Sequence, residues 1–446
     1  MGELSQDVAA PATPSELEKA SVGKVSTGAA NEVERSGTLF TSCMHIPCSE
    51  LACWRCPGRL PGWAGPPAPF LIAIFYCSTL ICSRLLSATV EVNGVRHPTY
   101  RAVVLHVLGK RWSRVLFAFQ FSLLVLAAIS YTIAAGESGR AVLEVTGVWE
   151  PGHAAWPVIV VFGGVQLVLS QMPNLESAWI SSTVGALMSF CYSVIALGMC
   201  ISHAGNKHGT VGGISNVSTH DKIFGIFNAL GDVAFAYNFA PLLVEIQDTI
   251  RTPPSSDKVM KKALTISMSM AFFFYLTIAI TGYLAFGNNV TGSILSQPGI
   301  GPTWVIVLAN VMVFVHMFSA VQVFTQPLFT AVEGKAARTW PDSPLLNRYW
   351  LATRIVWRSL YMAFTVFISA LIPFFSQIVG LVGAVIYWPT AIFFPILLWL
   401  AVFPPKISIR ATLQVLNVSM LAVALVSIVG SVQSIVSNAS TYGVFQ

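Results

Sequence analysis

One stretch limits what this chain can fold into more than any other: Asn228–Lys262, NALGDVAFAYNFAPLLVEIQDTIRTPPSSDKVMKK. From Phe224 to Gln247 it is apolar and long enough to cross a bilayer, which takes roughly 20 residues at about 1.5 Å each. Yet Gly231, Asp232, Asn238 and Pro241 stand in the middle of the run, and Glu245 stands near its far end. Pro241 has no N–H to donate, and glycine lowers the cost of leaving helical geometry. Broken backbone at membrane depth survives only where it is buried in protein or lines a wet cavity. An acidic side chain there costs about 3 kcal/mol or more on insertion scales, so it points to function. If the stretch is helical throughout, Gly231, Phe235, Asn238, Leu242 and Glu245 share one face. The plainer alternative is a kinked helix whose polar groups bond its neighbours.

Composition agrees with a polytopic membrane protein. The 446 residues are 54% hydrophobic and only 10% charged, and mean hydropathy is +0.69. Residues 1–34 are rich in Ser, Ala, Gly, Glu and Lys and lack the apolar run of a secretory signal, so a disordered cytosolic tail is expected. Residues 35–446 are expected to form one transmembrane transporter domain.

Several motifs carry a resemblance. They are LGDVAFAY, LVEIQDTIRTPP and MKKA in the central stretch, SYTIAAG at Ser130–Gly136, and LVLSQMP at Leu167–Pro173. HMFSAVQVFTQPLF at His316–Phe329 and PFFSQIVGLVGAVIYWPTAIFFP at Pro373–Pro395 complete them. In this order they resemble the plant-type amino acid permeases of the amino acid/auxin permease family. The resemblance covers the chain from about Pro66 to its end. It implies an all-α polytopic membrane protein with a five-plus-five inverted-repeat core and one extra helix. It also implies proton-coupled symport of amino acids, with protons as the coupling ion and no cofactor, at the plasma membrane.

The first span departs from that pattern. Arg35–His45, RSGTLFTSCMH, resembles the family's entry into it, where the family continues with an apolar helix broken by a Gly-Ser-Gly type motif. Here the chain reads IPCSELACWRCPGRLPGWAGP over Ile46–Pro66, and the resemblance resumes at Gly62. Pro47, Glu50, Arg55, Pro57, Arg59 and Pro61 make Ile46–Pro61 a poor spanning helix. Cys43, Cys48, Cys53 and Cys56 with His45 raise a metal reading, but the spacing lacks the two paired motifs of a zinc ribbon. No metal is expected. A shifted reading frame or altered splice junction explains the same composition.

Apolar runs place the other spans at about Ala68–Leu86, Val115–Ala135, Trp156–Ser170, Ala178–Ser202, Phe224–Gln247 and Ala263–Phe286. Four more follow at about Thr303–Val332, Trp357–Phe375, Ile378–Phe403 and Thr412–Val436, for eleven in all. Basic residues concentrate in alternate loops, among them Arg96, Arg101, Lys110, Lys258, Lys261, Lys335 and Lys406. By the positive-inside rule those loops are cytosolic, as is the N-terminus. Sequons at Asn216, Asn289 and Asn438 then fall outside as glycosylation candidates, while Asn417 falls inside the last span. The net charge of +6 belongs to cytosolic loops and needs no nucleic acid partner; the expected partners are an amino acid and the bilayer.

The candidate site follows from transporter physics. Half-helix N-termini favour a substrate carboxylate, and freed carbonyls favour its ammonium. Gly231, Ala234, Phe235 and Asn238 are the expected lining of the sixth span, with Phe235 against the substrate side chain. In the third span Ala127, Tyr131, Ala134 and Ser138 form a small-residue stripe around a tyrosine, which either donates to the substrate or anchors a helix contact. Asp232 and Glu245 are the proton-coupling candidates, because burial opposes ionisation of a carboxyl; permanent pairing with a basic residue is the alternative. His316, with Ser319, Gln322 and Gln326, either lines the pathway as a relay or bonds neighbouring helices. Pro389 and Pro395, preceded by Gly380 and Gly383, suit either a gating helix or a kinked packing helix. No nucleophile elbow, phosphate loop or metal-ligand helix is present, so neither an enzyme nor an ATP-driven pump is expected.

Overall fold

The structure is a computed structural model that describes residues 68–172, 179–206, 219–250, 254–286, 294–297, 299–341, 343, 348–371 and 375–438. Among the described residues nine helices are long and apolar enough to cross a membrane, and Trp156–Leu169 is a shorter apolar helix in the place of the fourth span. Ten of the eleven expected spans are thus present. The first span, the N-terminal tail, His45 and the four-cysteine cluster lie outside the described residues.

The order is α1 Ala68–Ala88, α2 Tyr100–Leu108, α3 Lys110–Val145, α4 Trp156–Leu169, α5 Trp179–His203, α6 Thr219–Ala236, α7 Ala240–Asp248 and α8 Ser256–Phe286. Then come α9 Thr303–Thr339, α10 Trp350–Leu371, α11 Phe375–Tyr387, a π-helical turn at Trp388–Phe393, α12 Phe394–Val402 and α13 Ile407–Asn438. The only sheet among the described residues is a short hairpin, Glu91–Val92 (β1) against Val95–Arg96 (β2). Its turn holds Asn93 at φ 53° and Gly94 at φ 75°, left-handed geometry that these two residue types tolerate best.

Several helices outrun the apolar runs that predict them. α3 starts at Lys110 and α9 continues to Thr339, because lysine and arginine are good helix formers that carry their charge into the headgroup layer. Large apolar side chains face outward along the bundle, including Phe70, Val160, Leu187, Phe273 and Phe364. In water such a surface would aggregate; in a bilayer it is the solvated face. Exposed aromatics gather at helix ends: Trp156 and Trp304 at two N-termini, Trp340 and Trp350 flanking the loop between α9 and α10. That is where amphipathic rings meet the membrane interface.

Two packing groups position the site. α3 and α9 lie against each other, with α5 on α9 and α4 and α10 on α3 and each other. α6 packs on α11 and α13, and α8 on α1 and α5. α6 and α11 approach backbone to backbone. A Cβ on Gly231 would run into the Gly380 carbonyl, and one on Gly383 into the Gly231 carbonyl and the Phe235 N–H. Only glycine lets two helix backbones come this near.

Of the expected glycosylation sites, Asn216 and Asn289 lie outside the described residues. Asn438 ends α13, and its side chain is likewise outside them. Asn417 sits within α13, where its Oδ1 accepts from Trp388 Nε1 at 3.0 Å.

Candidate functional site

The sixth span is two helices. α6 stops at Ala236, Tyr237–Phe239 are irregular, and α7 begins at Ala240 with Pro241 in its first turn. The expected five-residue face from Gly231 to Glu245 is therefore interrupted: Gly231 and Phe235 belong to α6, Asn238 to the break, and Leu242 and Glu245 to α7. Proline suits the first turn of a helix, where an N–H is unpaired anyway. No side chain caps the N-terminus of α7. The C-terminus of α6 and the N-terminus of α7 therefore adjoin among buried side chains, with the Phe235 carbonyl accepting from the Asn238 N–H.

The tenth span is interrupted beside it. Pro395 has no N–H for the Ala391 carbonyl, so the ladder slips by a residue and Phe394 N–H bonds to the Pro389 carbonyl. The π-turn that results is the response expected of a ladder broken by proline. It brings Thr390 to the sixth-span break. The Thr390 hydroxyl lies 2.7 Å from the Ile386 carbonyl and 3.0 Å from Asn238 Oδ1, in donating position to either.

The aromatic residues converge on the same place. Tyr131 on α3 is 6.4 Å, centroid to centroid, from Phe235 on α6 and 5.3 Å from Phe324 on α9. The small-residue stripe of α3 is buried throughout, from Ala127 to Ser138. Tyr131, Phe235, Asn238 and Ala234 thus belong to one neighbourhood, all buried. Gly231 stands one turn away, and its open face is filled by Gly380 and Gly383 of α11.

The two carboxyl candidates part company. Asp232 faces α11 and α13, where Asn228, Ser431 and the Gly380 backbone surround it; its Oδ1 lies 2.7 Å from where a Gly380 Cβ would stand. Glu245 lies beyond the break on α7, where Gln120 Nε2 donates to its Oε1 at 2.9 Å. Among the described residues it forms no ion pair.

His316 is in neither place. It is wholly buried, its Nδ1 is 2.8 Å from the Gly185 carbonyl, and its ring meets Tyr192. It fastens α9 to α5. The glutamines of its flank do the same toward α4: Gln322 Nε2 donates to Gln166 Oε1 at 2.5 Å, and Gln326 Nε2 to Gln322 Oε1 at 3.1 Å. Such interhelical bonds satisfy polar groups that lipid cannot.

Sequence reasoning missed Thr390, Phe324 and Gln120. Gln120 is a lone amide in an apolar run, and Thr390 stands between two prolines, so a signal existed for both. Phe324 is one aromatic among many and carried none.

Two half-helices meeting uncapped inside a bundle of apolar helices define a membrane transport protein of the broken-helix kind. The chain belongs to the transmembrane amino acid transporter protein family, whose model matches residues 62–437. The match begins at Gly62, where the motifs resume after the departure at Ile46–Pro61. The chain is 34% identical to amino acid permease 6 of Arabidopsis thaliana, over 93% of each chain. It is 34% identical to amino acid permease 1 of the same plant, over 93% of this chain and 92% of that one. With amino acid permease 8 it shares 32% identity over 97% of this chain and 98% of the relative. These relatives are transporters and not enzymes.

Proposed function

We propose that this chain imports amino acids together with protons, taking the substrate at the break between α6 and α7. The observation that carries the proposal is that break: α6 ends at Ala236 and α7 begins at Ala240 without a side-chain cap, among buried residues. An amino acid's carboxylate and ammonium are the complementary charges, and both ends act without any fixed ion. Relatives that are amino acid permeases support the substrate class. Asn238 is the polar side chain at the break, Phe235 and Phe324 frame the space for the substrate side chain, and Tyr131 stands across from them as the hydroxyl donor.

Glu245 carries the coupling proton. It is the acid of the half-helix on the basic, cytosolic side, and it is bound by an amide instead of a cation. A carboxyl held by neutral donors exchanges its proton at far smaller cost than one locked in an ion pair. Asp232, facing α13, belongs to helix packing. No cofactor takes part. The basic loops support a cytosolic N-terminus, and the reading puts the transport at the plasma membrane.

A second reading has its own observation. The family match starts only at Gly62, and Ile46–Pro61 carries prolines, Glu50, Arg55 and Arg59 in place of an apolar helix. In that reading the chain is a splice or gene-model variant, or a sensor, that binds substrate without moving it.

Proteoliposomes test the first reading. Labelled amino acid uptake by the native chain should rise with an inward proton gradient. Glu245→Gln should abolish that rise, at least tenfold, while sparing exchange of labelled for unlabelled substrate. Uptake that ignores the gradient in the native protein would remove proton coupling from the account.

A further inference from the structure

The cytosolic half-helix α7 is clasped from several sides, and the clasps differ in kind. At its C-terminus Arg96, from the β-hairpin, donates to the carbonyls of Gln247, Asp248 and Ile250 and pairs with Asp248 at 3.3 Å. Gln247 Nε2 donates to the Ser87 carbonyl at 3.1 Å. These contacts cap carbonyls that a helix end leaves open, and no proton on α7 changes them.

Nearer the break the hold runs through Glu245. Its Oε1 accepts from Gln120 Nε2 and, at 3.4 Å, from the Tyr100 backbone N–H. The same Gln120 Nε2 donates to the Pro241 carbonyl at 2.8 Å, in the first turn of α7. Glu245 Oε2 is buried without a hydrogen-bond partner. Tyr100 is wholly buried and sends its hydroxyl the other way, donating to the Thr390 carbonyl in the π-turn at 2.9 Å. Thr390 in turn meets Asn238 at the break. Tyr100 therefore touches Glu245 with its backbone and the tenth-span π-turn with its side chain.

We propose that Gln120 and Tyr100 are positioning residues that tie the proton on Glu245 to the breaks in the sixth and tenth spans. The inference rests on the reading of Glu245 as the coupling carboxyl. An ionised carboxylate only accepts, and its charge strengthens both N–H bonds it receives. A proton on Oε2 makes that atom a donor with no acceptor and removes the charge from Oε1. The clasp then loosens at Gln120 and Tyr100, next to the break, while Arg96 holds the far end of α7 as a pivot. Movement of Tyr100 reaches Thr390 directly.

Asp248 is the charged neighbour of Glu245, and the acids of the helices packed on α7 are engaged in ion pairs. Asp248 on its own helix pairs with Arg96. Asp257 of α8 pairs with Lys261, and Glu333 of α9 with Arg358. From α2 and α1 the titratable groups facing it are Tyr100 and, behind it, Cys82. The π-turn contributes none, and α3 meets it with the neutral Gln120. Glu245 is thus the proton site in direct contact with Gln120 and Tyr100; His97, beside Arg96 and packed on His106, is the other proton site near the clasp, and the test carries His97→Gln as its background.

The test uses the full chain carrying His97→Gln, in nanodiscs without substrate. Infrared absorbance follows the protonated carboxyl, assigned to Glu245 by its loss in Glu245→Gln, and hydrogen exchange follows residues 240–248 and 388–393. Acidification should raise exchange in both segments with the midpoint of the Glu245 band, and Glu245→Gln should leave both high at every pH. Gln120→Leu should move that midpoint up by about one pH unit, a tenfold change in proton affinity. Tyr100→Phe should leave the midpoint in place and uncouple 388–393 from pH while 240–248 still responds. A midpoint unmoved by Gln120→Leu, or 388–393 still following pH in Tyr100→Phe, would overturn the proposal. Because the readout needs no transport, a chain that imports nothing yet shows these shifts keeps the network and loses only the reading of its purpose.

Discussion

Glycine placement shows how single residues hold the site in position. Gly231 and Gly383 are the points where α6 and α11 touch backbone to backbone, and neither neighbour is a flexible side chain. Gly383→Ala should therefore lower thermal stability in detergent by about 1–3 kcal/mol, the range for forcing atoms into a packed interior. Gly380→Ala should cost less, because its new Cβ meets side-chain oxygens of Asp232 and Asn228 that can swing aside. Equal losses would mean that the backbone contact is not what limits the approach. The sequence made these glycines conspicuous but not their partners. Pairing Gly231 with Gly380 depends on how two distant helices dock, and no local pattern encodes that. The same holds for His316, where the imidazole was visible and its Gly185 partner was not.

At the scale of elements, the ends of helices carry most of the specific chemistry. Arg358 on α10 is 1% exposed. It binds Glu333 of α9 through two nitrogens, at 2.6 and 3.1 Å, donates to the Ser170 and Met172 carbonyls after α4, and lies over the Phe329 ring. One guanidinium thus ties three helices together, in a fork that lysine cannot match. Arg358→Leu should destabilise the protein by about 3–5 kcal/mol, the cost of leaving a buried charge alone, and adding Glu333→Leu should recover part of it. Additive losses in the double variant would refute a coupled pair.

The loop before α2 behaves differently. His97 is buried beside His106, ring centroids 4.7 Å apart, and burial first and the neighbouring imidazole second hold it below its ordinary range. A histidine kept neutral in the fold takes up its proton more readily when the loop opens. The loop is therefore stable above about pH 6.5, the unfolded value, and loses stability as pH falls from there toward the lowered folded value. Hydrogen exchange at residues 89–98 should rise over that window and stop rising in His97→Gln. The sequence predicted the broken sixth span and the interrupted tenth because proline and glycine act locally. It did not predict that Tyr100 and Thr390 would join them, since that bond links residues far apart in the chain.

Over the whole molecule, the two interrupted spans, the buried aromatic cluster and the contacts that clasp α7 all lie within residues 62–437. That is the part matched by the transmembrane amino acid transporter family. The polytopic helical architecture was legible in the sequence for the ten spans among the described residues, because a bilayer forces apolar runs of fixed length. The different surroundings of Asp232 and Glu245 were not, because both are acids in one apolar run and only helix docking separates them.

The most direct measurement is uptake of labelled amino acids at acidic and neutral outside pH, in cells lacking amino acid uptake and with surface amounts matched. It compares the native chain with one whose Ile46–Pro61 is replaced by a relative's first span. The account predicts acid-stimulated import by the repaired chain, at a rate above that of the native chain. A repaired chain that reaches the surface and imports nothing at either pH would contradict it.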